Sequence, residues 1–239
     1  MDMSMFHQKN SSKTSQSTLK VVAAGFFAFA LMGSASAQIK ASGGGYLMRV
    51  KYVKGQTLKY KTVTSMVNSK DQKAKPLKID CPIVMKVSNV VKSLATVAAT
   101  VGPVTMGKTV IQPAQDAEIK LDTKNSPSGG AMPSTSQLVS ATFPAKAVKI
   151  GTTWSNVTGI PSVTGGMANA KATYKFGGLK TVNGKSMAVV TFTLSGEVSG
   201  TGTLLLLASD GTLYSNKTRI LFNAGANGTM VINSELTRI

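Results

Sequence analysis

Apolar and polar side chains alternate with a period of two along most of this chain. The clearest runs span residues 46–52, 77–87, 117–122 and 170–176. Within one of them, Ile79, Cys81 and Ile83 share one side of the backbone, while Lys78 and Asp80 share the other. Because successive side chains of a β-strand point to opposite faces, these runs predict half-buried strands whose outer faces carry lysines.

Tight-turn dipeptides separate these runs. They are Lys54-Gly55, Asn183-Gly184, Asp210-Gly211 and Asn227-Gly228. Asn-Gly and Asp-Gly pairs tolerate the positive φ angles of two-residue hairpin turns, so neighbouring strands are expected to be antiparallel. No long segment has the 3.6-residue period of a helix. The sequence therefore predicts an all-β fold of antiparallel meander sheets, arranged as a sandwich or a half-barrel.

Two stretches of the chain occur twice in similar form. Residues 53–58 match residues 148–154, and further on residues 91–97 match residues 184–190. The two pairs follow each other in the same order and at a similar distance. We interpret this similarity as a duplication that produced two related β halves.

A segment rich in serine, glycine and proline, NSPSGGAMPSTS, separates the two halves. Such a composition is typical of a linker between folded units. The expected organisation is a signal over 1–37, a flexible glycine-rich leader over 38–45, a first β half over 46–124, a connector over 125–144 and a second β half over 145–239.

Trp154, the only tryptophan, takes the position of Leu58 in this duplication. A position filled by leucine in one copy and tryptophan in the other is typical of a packed core rather than a ligand platform. Cys81, the only cysteine, lies on the apolar side of its predicted strand. We therefore expect both residues in or near the core, with Cys81 as an inert buried thiol.

The first 37 residues have the three-part layout of a secretory signal. Lysines precede an apolar run from Val21 to Gly33, and Ala35-Ser36-Ala37 forms a cleavage site before Gln38. As a helix this run rises only about 20 Å, less than the membrane hydrocarbon core of about 30 Å. We expect the signal to be removed and the protein to be exported to the periplasm or the outside of the cell, with no further transmembrane segment.

Few groups of the exported chain are suited to catalysis. The only histidine, His7, lies in the signal, so neither an imidazole base nor a histidine metal ligand remains. Glu118 and Asp122 lie about 13 Å apart along one predicted strand, and Asp116 projects beside Glu118 rather than across a cleft. No catalytic residue, cofactor site or metal site is predicted.

Positive charge is the most unusual feature of the composition. The chain has 27 basic and 9 acidic residues and a formal net charge of +18, and the exported part keeps +16. Nine basic residues occupy outward positions of predicted strands: Lys59, Lys61, Lys78, Lys86, Lys120, Lys171, Lys175, Lys217 and Arg219. We predict that they contact an anionic envelope surface, such as lipid head groups, cell-wall polymer or acidic glycan. The alternative is that they only keep the protein soluble and protect its sheet edges.

Nucleic acid is not an expected partner of these lysines. The aromatic residues are not interleaved with the basic ones, as they are where bases stack on a protein surface. Export also separates the protein from cellular nucleic acid.

Three segments resemble a family of secreted bacterial all-β proteins whose function is unknown. They are KGQTLKYKTVTSM, FPAKAVKIGTTWSNV and SDGTLYSNKTRI. The marks of the family are a K-G-Q-x-φ-x-Y strand, in which φ is apolar, and a P-x-x-x-V-x-x-G-x-x-W segment. The chain departs from many members because no lipid-anchor cysteine follows its signal. The resemblance implies an exported β architecture and implies no activity.

The function expected from these observations is that of a non-enzymatic exported β protein, an envelope-associated binding or structural module. Two alternatives stay open. One is a periplasmic protein that binds an apolar ligand such as a lipid, with methionines lining an adaptable pocket. The other is a polysaccharide-acting hydrolase that works without histidine and requires two facing carboxylates.

The mature protein is expected to begin at Gln38, because Ala35 and Ala37 form the small-residue cleavage site. N-terminal sequencing of the exported protein measures this directly. A mature form that retains Val21 to Gly33 would contradict the prediction.

Overall fold

The computed structural model of the protein describes residues 38–69, 76–127, 141–161, 167–223 and 228–239. The predicted signal and most of the predicted connector lie outside these residues. The described strands are β1 (Ile39–Ser42), β2 (Gly45–Met48), β3 (Thr57–Asn68), β4 (Leu77–Val91), β5 (Leu94–Val101), β6 (Val104–Met106), β7 (Thr109–Gln112), β8 (Gln115–Asp122), β9 (Thr153–Pro161), β10 (Met167–Val182), β11 (Lys185–Gly196), β12 (Val198–Leu207), β13 (Leu213–Asn223) and β14 (Thr229–Arg238).

Twelve of these strands form one large antiparallel sheet. Its strand order is β7-β6-β4-β3-β14-β13-β12-β11-β10-β9. The remaining two strands branch from β4: β5 pairs with β4, and β8 pairs with β5. Strands β1 and β2 form a separate two-stranded hairpin. The predicted all-β antiparallel class is confirmed, and the described strands leave the large sheet open at β9.

Both predicted halves contribute to this one sheet. Strand β14, near the C-terminus, pairs with β3 along nine residues and so joins the two halves edge to edge. The repeated segments also occupy equivalent places. Residues 53–58 and 148–154 lead into β3 and β9, and residues 91–97 and 184–190 contain the hairpins that follow β4 and β10. Duplication of the halves stays a prediction.

One face of the large sheet carries the core. Its side chains include Tyr60, Ile83, Phe176, Val190 and Leu204, all of them buried. The alternation that predicted the strands therefore places apolar residues on this face, as expected of a half-buried sheet. We call it the core face and the opposite one the polar face.

The β1–β2 hairpin belongs to the cover of the core face. Ile39 and Met48 are each only 1% exposed and belong to the core cluster. The ring of Tyr46 packs edge-on against Phe176, with 5.2 Å between ring centroids. The N–H groups of both Gln38 and Ile39 donate to the carbonyl of Ala208, which attaches the hairpin to the end of β12.

The interpretation of residues 38–45 as a flexible leader is therefore wrong for this structure. Gly43 and Gly44 have φ angles of 56° and 76°, which glycine adopts without strain, and they form the turn between β1 and β2. The glycine run makes a hairpin because the residues beside it find partners in the core. Those partners are distant in sequence, so composition alone did not reveal them.

Residues 141–150 form a second segment of the cover. Phe143 and Val148 are buried in the core cluster, and Val148 exchanges two backbone hydrogen bonds with Tyr46. The guanidinium of Arg49 donates to the carbonyl oxygens of Pro144 and Ala145 at 2.8 and 2.5 Å. These contacts bind the second covering segment to the hairpin.

Trp154 and Cys81 lie where the sequence predicts them. Cys81 is buried in the core cluster, and burial raises the pKa of its thiol. Trp154 is half-buried at the margin of the same cluster and stacks on Tyr174 at 5.5 Å. Its indole N–H donates to the carbonyl of Thr142 at 2.9 Å. Trp154 therefore closes the core at the β9 edge rather than offering a free platform.

Replacing Trp154 with alanine should lower the free energy of unfolding by about 2 to 3 kcal/mol, near the lower end for aromatic truncations because the ring is half-buried. Trp154→Phe keeps the stack and loses the hydrogen bond to Thr142, so it should cost only about 1 kcal/mol. Urea denaturation of the three proteins measures both values. A Trp154→Ala loss within experimental error would show that the ring does not pack.

Alkaline pH should destabilise the fold through its buried tyrosines. Burial raises the pKa of Tyr174 from 10.0 to about 12, and it also raises the pKa values of Tyr52 and Tyr60. The hydroxyl of Tyr174 ionises at a lower pH in the unfolded chain than in the folded protein. Its contribution to stability is therefore fully present below pH 10 and is lost as pH rises towards 12. That difference in pKa corresponds to about 3 kcal/mol.

Tyr174→Phe isolates this contribution because it removes the ionisable hydroxyl and keeps the ring. The variant should lose less stability than the wild type between pH 10 and 12 in parallel denaturation experiments. Identical pH dependence of the two proteins would contradict the assignment to Tyr174.

Candidate functional site

The polar face of the large sheet carries an open groove of about 890 Å³. It is lined by residues of eight neighbouring strands, from β9 at one end to β4 at the other. Adjacent strands lie about 4.8 Å apart, so the groove crosses the strands over roughly 34 Å. It is therefore long enough for an extended ligand.

The strand register forms two parallel rows of side chains along the groove. The first row consists of Thr153, Lys175, Thr191, Thr203, Lys217, Glu235 and Val63. The second row consists of Thr173, Thr193, Thr201, Arg219, Asn233, Ser65 and Lys78. Within each row, every residue is the cross-strand partner of the next. Cross-strand partners have Cβ atoms about 5 Å apart, so each row is a continuous ladder of side chains.

The floor between the rows is formed by Phe192, Gly202, Thr218 and Ser234. These residues are also cross-strand partners, but they belong to the core-face set. A Cβ atom on Gly202 would lie 2.3 Å from the Phe192 ring and 2.7 Å from the carbonyl of Lys217. Glycine at 202 therefore lets the phenylalanine ring pack against the backbone from the core side.

The groove has a hydroxyl part and a charged part. The hydroxyl part lies on β9 to β12 and contains one lysine, Lys175, and six threonines: Thr153, Thr173, Thr191, Thr193, Thr201 and Thr203. Threonine suits these positions because β-branched side chains are favoured in strands. Each hydroxyl both donates and accepts hydrogen bonds, so the ladder matches a ligand that is itself rich in hydroxyl groups.

The charged part lies on β13, β14, β3 and β4. Lys217 forms an ion pair with Glu235, with 3.1 Å between Nζ and Oε1, and both side chains are at least half exposed. Arg219 lies two residues along the same strand, between Thr201 and Asn233. Within the described parts of the chain, no carboxylate pairs with its guanidinium. Arg219 is therefore a cation available for an anionic ligand at the middle of the second row.

The register places all nine predicted basic residues on the polar face, and each of them is exposed. Four of them line the groove: Lys78, Lys175, Lys217 and Arg219. The other five lie outside it: Lys59, Lys61, Lys86, Lys120 and Lys171. The structure thus divides the predicted set into a groove group and a peripheral group.

Sequence reasoning missed the threonine ladder. The signal was present as alternating threonines, Thr191 with Thr193 and Thr201 with Thr203. These pairs occupy the polar positions of strands that were recognised from their apolar positions. Only the pairing of β11 with β12 brings the two pairs side by side.

The acidic candidates do not face one another across the groove. Asp116 accepts a hydrogen bond from Thr100 at 2.6 Å, and Glu118 follows it on the exposed side of β8. Asp122 accepts hydrogen bonds from the backbone N–H groups of the turn that follows β8. Among the described residues, the groove contains one carboxylate, that of Glu235. This arrangement lacks the facing pair that carboxylate hydrolysis requires.

Among the described residues, the void found on the core face offers little room for an apolar ligand. A void between the sheet and its cover, lined by Leu58, Phe143 and Leu204 among others, holds only about 30 Å³. That is space for a water molecule rather than a lipid chain. Met48 is fully packed, and no methionine lines the groove among the described residues.

The described residues include neither a metal-binding cluster nor a membrane-spanning helix. No three acidic, histidine or cysteine side chains converge closely enough there to hold a metal ion. None of these residues forms a helix long and apolar enough to cross a membrane.

Comparison with known proteins gives distant structural similarity only. No protein family and no curated protein matches the chain. A Bacteroides fragilis NCTC 9343 protein, assigned as exported and YmcC-like in fold, is 10% identical; the match covers 80% of this chain and 97% of that one, with a TM-score of 0.38. A DUF1329 family protein from Desulfovibrio piger ATCC 29098 is also 10% identical. That match covers 77% of this chain and 84% of the other, with a TM-score of 0.23. Similarity at this level carries no argument about function, so the family suggested by the three motifs stays a prediction.

Proposed function

We propose that the protein is a non-enzymatic binding module of the cell envelope that holds a linear acidic glycan in the groove of its polar face. The observation that carries the proposal is the pair of side-chain rows, which combine a ladder of hydroxyls with cations over roughly 34 Å. A compact ligand would use only a small part of such a site. An extended polymer would use all of it.

The chemistry of the groove matches that of an acidic glycan. Threonine hydroxyls exchange hydrogen bonds with sugar hydroxyls without selecting one orientation, because each can donate or accept. Arginine presents a planar set of donors that pairs with a carboxylate through two hydrogen bonds. Arg219, between Thr201 and Asn233, is placed to anchor a uronate carboxylate while neighbouring hydroxyls contact the ring.

The charge distribution adds attraction at longer range. Lys78 and Lys175 lie towards opposite ends of the groove, and the peripheral lysines surround it on the same face. Such a field concentrates an anionic polymer near the face and weakens as salt screens it. The groove contacts would then determine which polymer is retained.

Arg219→Gln should weaken binding of hexagalacturonate about tenfold, because a charge-assisted hydrogen bond is worth about 1.5 to 3 kcal/mol. Lys86→Gln is the matched control: it removes one charge from the same face at a position about 26 Å along β4 from Lys78, outside the groove. It should weaken binding less than about twofold.

Glu235→Gln should strengthen binding, since it frees Lys217 and removes the carboxylate of the groove.

Isothermal titration calorimetry with hexagalacturonate and with its uncharged methyl ester measures these effects. The ester should bind much more weakly to the wild type. Equal losses in Arg219→Gln and Lys86→Gln would show that the lysine face attracts anions without a groove site. Equal affinity for the acid and its ester would contradict the role of charge altogether.

A further inference from the structure

The β6–β7 hairpin, which pairs with β4, carries two adjacent exposed aliphatic side chains. Val110 and Ile111 are adjacent on β7 and are 57% and 49% exposed. β7 is an edge strand whose only neighbour among the described strands is β6. Soluble proteins usually protect such edges with charged side chains, and this one carries two aliphatic residues instead.

An irregularity in the pairing explains how both side chains remain uncovered. Val104 pairs with Gln112 and the next residue, Thr105, pairs with Val110, so Ile111 is an extra residue on β7. Such a bulge interrupts the two-residue alternation and redirects a side chain. The core therefore covers neither residue.

The hairpin and the part of β4 beside it carry two lysines, Lys108 and Lys78, and one carboxylate, that of Asp80. Lys108 lies at its turn, and the hairpin sequence from Val104 to Gln112 contains no acidic residue. The register also extends the first row of the groove onto the hairpin: Val63 pairs with Asp80, Asp80 with Thr105 and Thr105 with Val110. The hairpin thus continues the charged end of the groove, where Lys78 lies.

From this arrangement we infer that the β6–β7 hairpin contacts an anionic phospholipid bilayer, with Val110 and Ile111 entering the boundary of the acyl chains and Lys108 at the head groups. Aliphatic side chains at a tip gain free energy on leaving water, and nearby lysines are attracted to anionic lipid. The groove would then lie with its charged end towards the membrane surface. This inference is independent of the glycan proposal.

The test is flotation with vesicles of phosphatidylcholine alone and of an equimolar mixture with phosphatidylglycerol, in low salt and in about 1 M salt. At about 1 M the Debye length is about 3 Å, so general attraction of the lysines is suppressed and apolar insertion remains. The wild type should bind the anionic vesicles strongly in low salt and still measurably in high salt. Absence of binding under both conditions would overturn the inference.

The double variant Val110→Thr with Ile111→Thr should reduce partitioning into anionic vesicles at least tenfold. Threonine is β-branched like the residues it replaces, so the hairpin should persist and the charge is unchanged. Val157→Thr is the matched control, because Val157 is an aliphatic residue 81% exposed on β9, at the opposite edge of the sheet. It should partition as the wild type does, and equal losses in the two variants would overturn the inference.

A second measurement does not depend on the amount bound. An environment-sensitive fluorophore attached to Ile111→Cys should shift to the blue with anionic vesicles, and the same label on Val157→Cys should not. Cys81 is buried and should not compete for the label.

The Val110, Ile111 double variant should also keep its affinity for hexagalacturonate, whereas Arg219→Gln should keep vesicle binding. These separate outcomes distinguish failure of the hairpin inference from failure of the glycan proposal.

Discussion

Alternation of side chains, kept in register from strand to strand across the groove, is the constraint on which this structure depends. A slip of one residue at any pairing would transfer the core residues of that strand to the polar face. From β9 to β4 the cross-strand pairs keep Phe192, Thr218 and Ser234 in one row and Arg219 in the next. The same register that builds the core therefore assembles the groove. The core and the candidate site therefore lie on opposite faces of the same sheet.

Burial of the core face also depends on the segments that cover it. Fixed backbone contacts hold the cover in place. The closest is at Gly211, where an added Cβ atom would lie only 1.9 Å from the carbonyl oxygen of Arg49. No other residue type fits there, because the chain after β2 passes directly over the turn between β12 and β13. Arg49 then extends the attachment to residues 144 and 145 through its side chain.

Local patterns predicted much of this fold because they report which side of a strand faces apolar surroundings. The run around Cys81 became β4, and the run before Phe176 became β10. The N-terminal hairpin was missed because its turn glycines resemble a linker until Ile39 is seen to have a core partner. The groove was missed for a similar reason. Thr193 and Arg219 belong to one row only because β12 lies between their strands and Thr201 pairs with both, and no local pattern specifies this strand order.

Strand β14 also determines when this protein can fold. The hydroxyls of Thr64 and Ser234 lie 3.0 Å apart although 170 residues separate them along the chain. Closing so long a loop is entropically costly and slows folding. During synthesis the N-terminal part appears first. One edge of β3 therefore stays unpaired until β14 has been synthesised. The edge of β3 therefore needs protection for nearly the whole period of synthesis, and the loss of β14 would leave that edge permanently exposed.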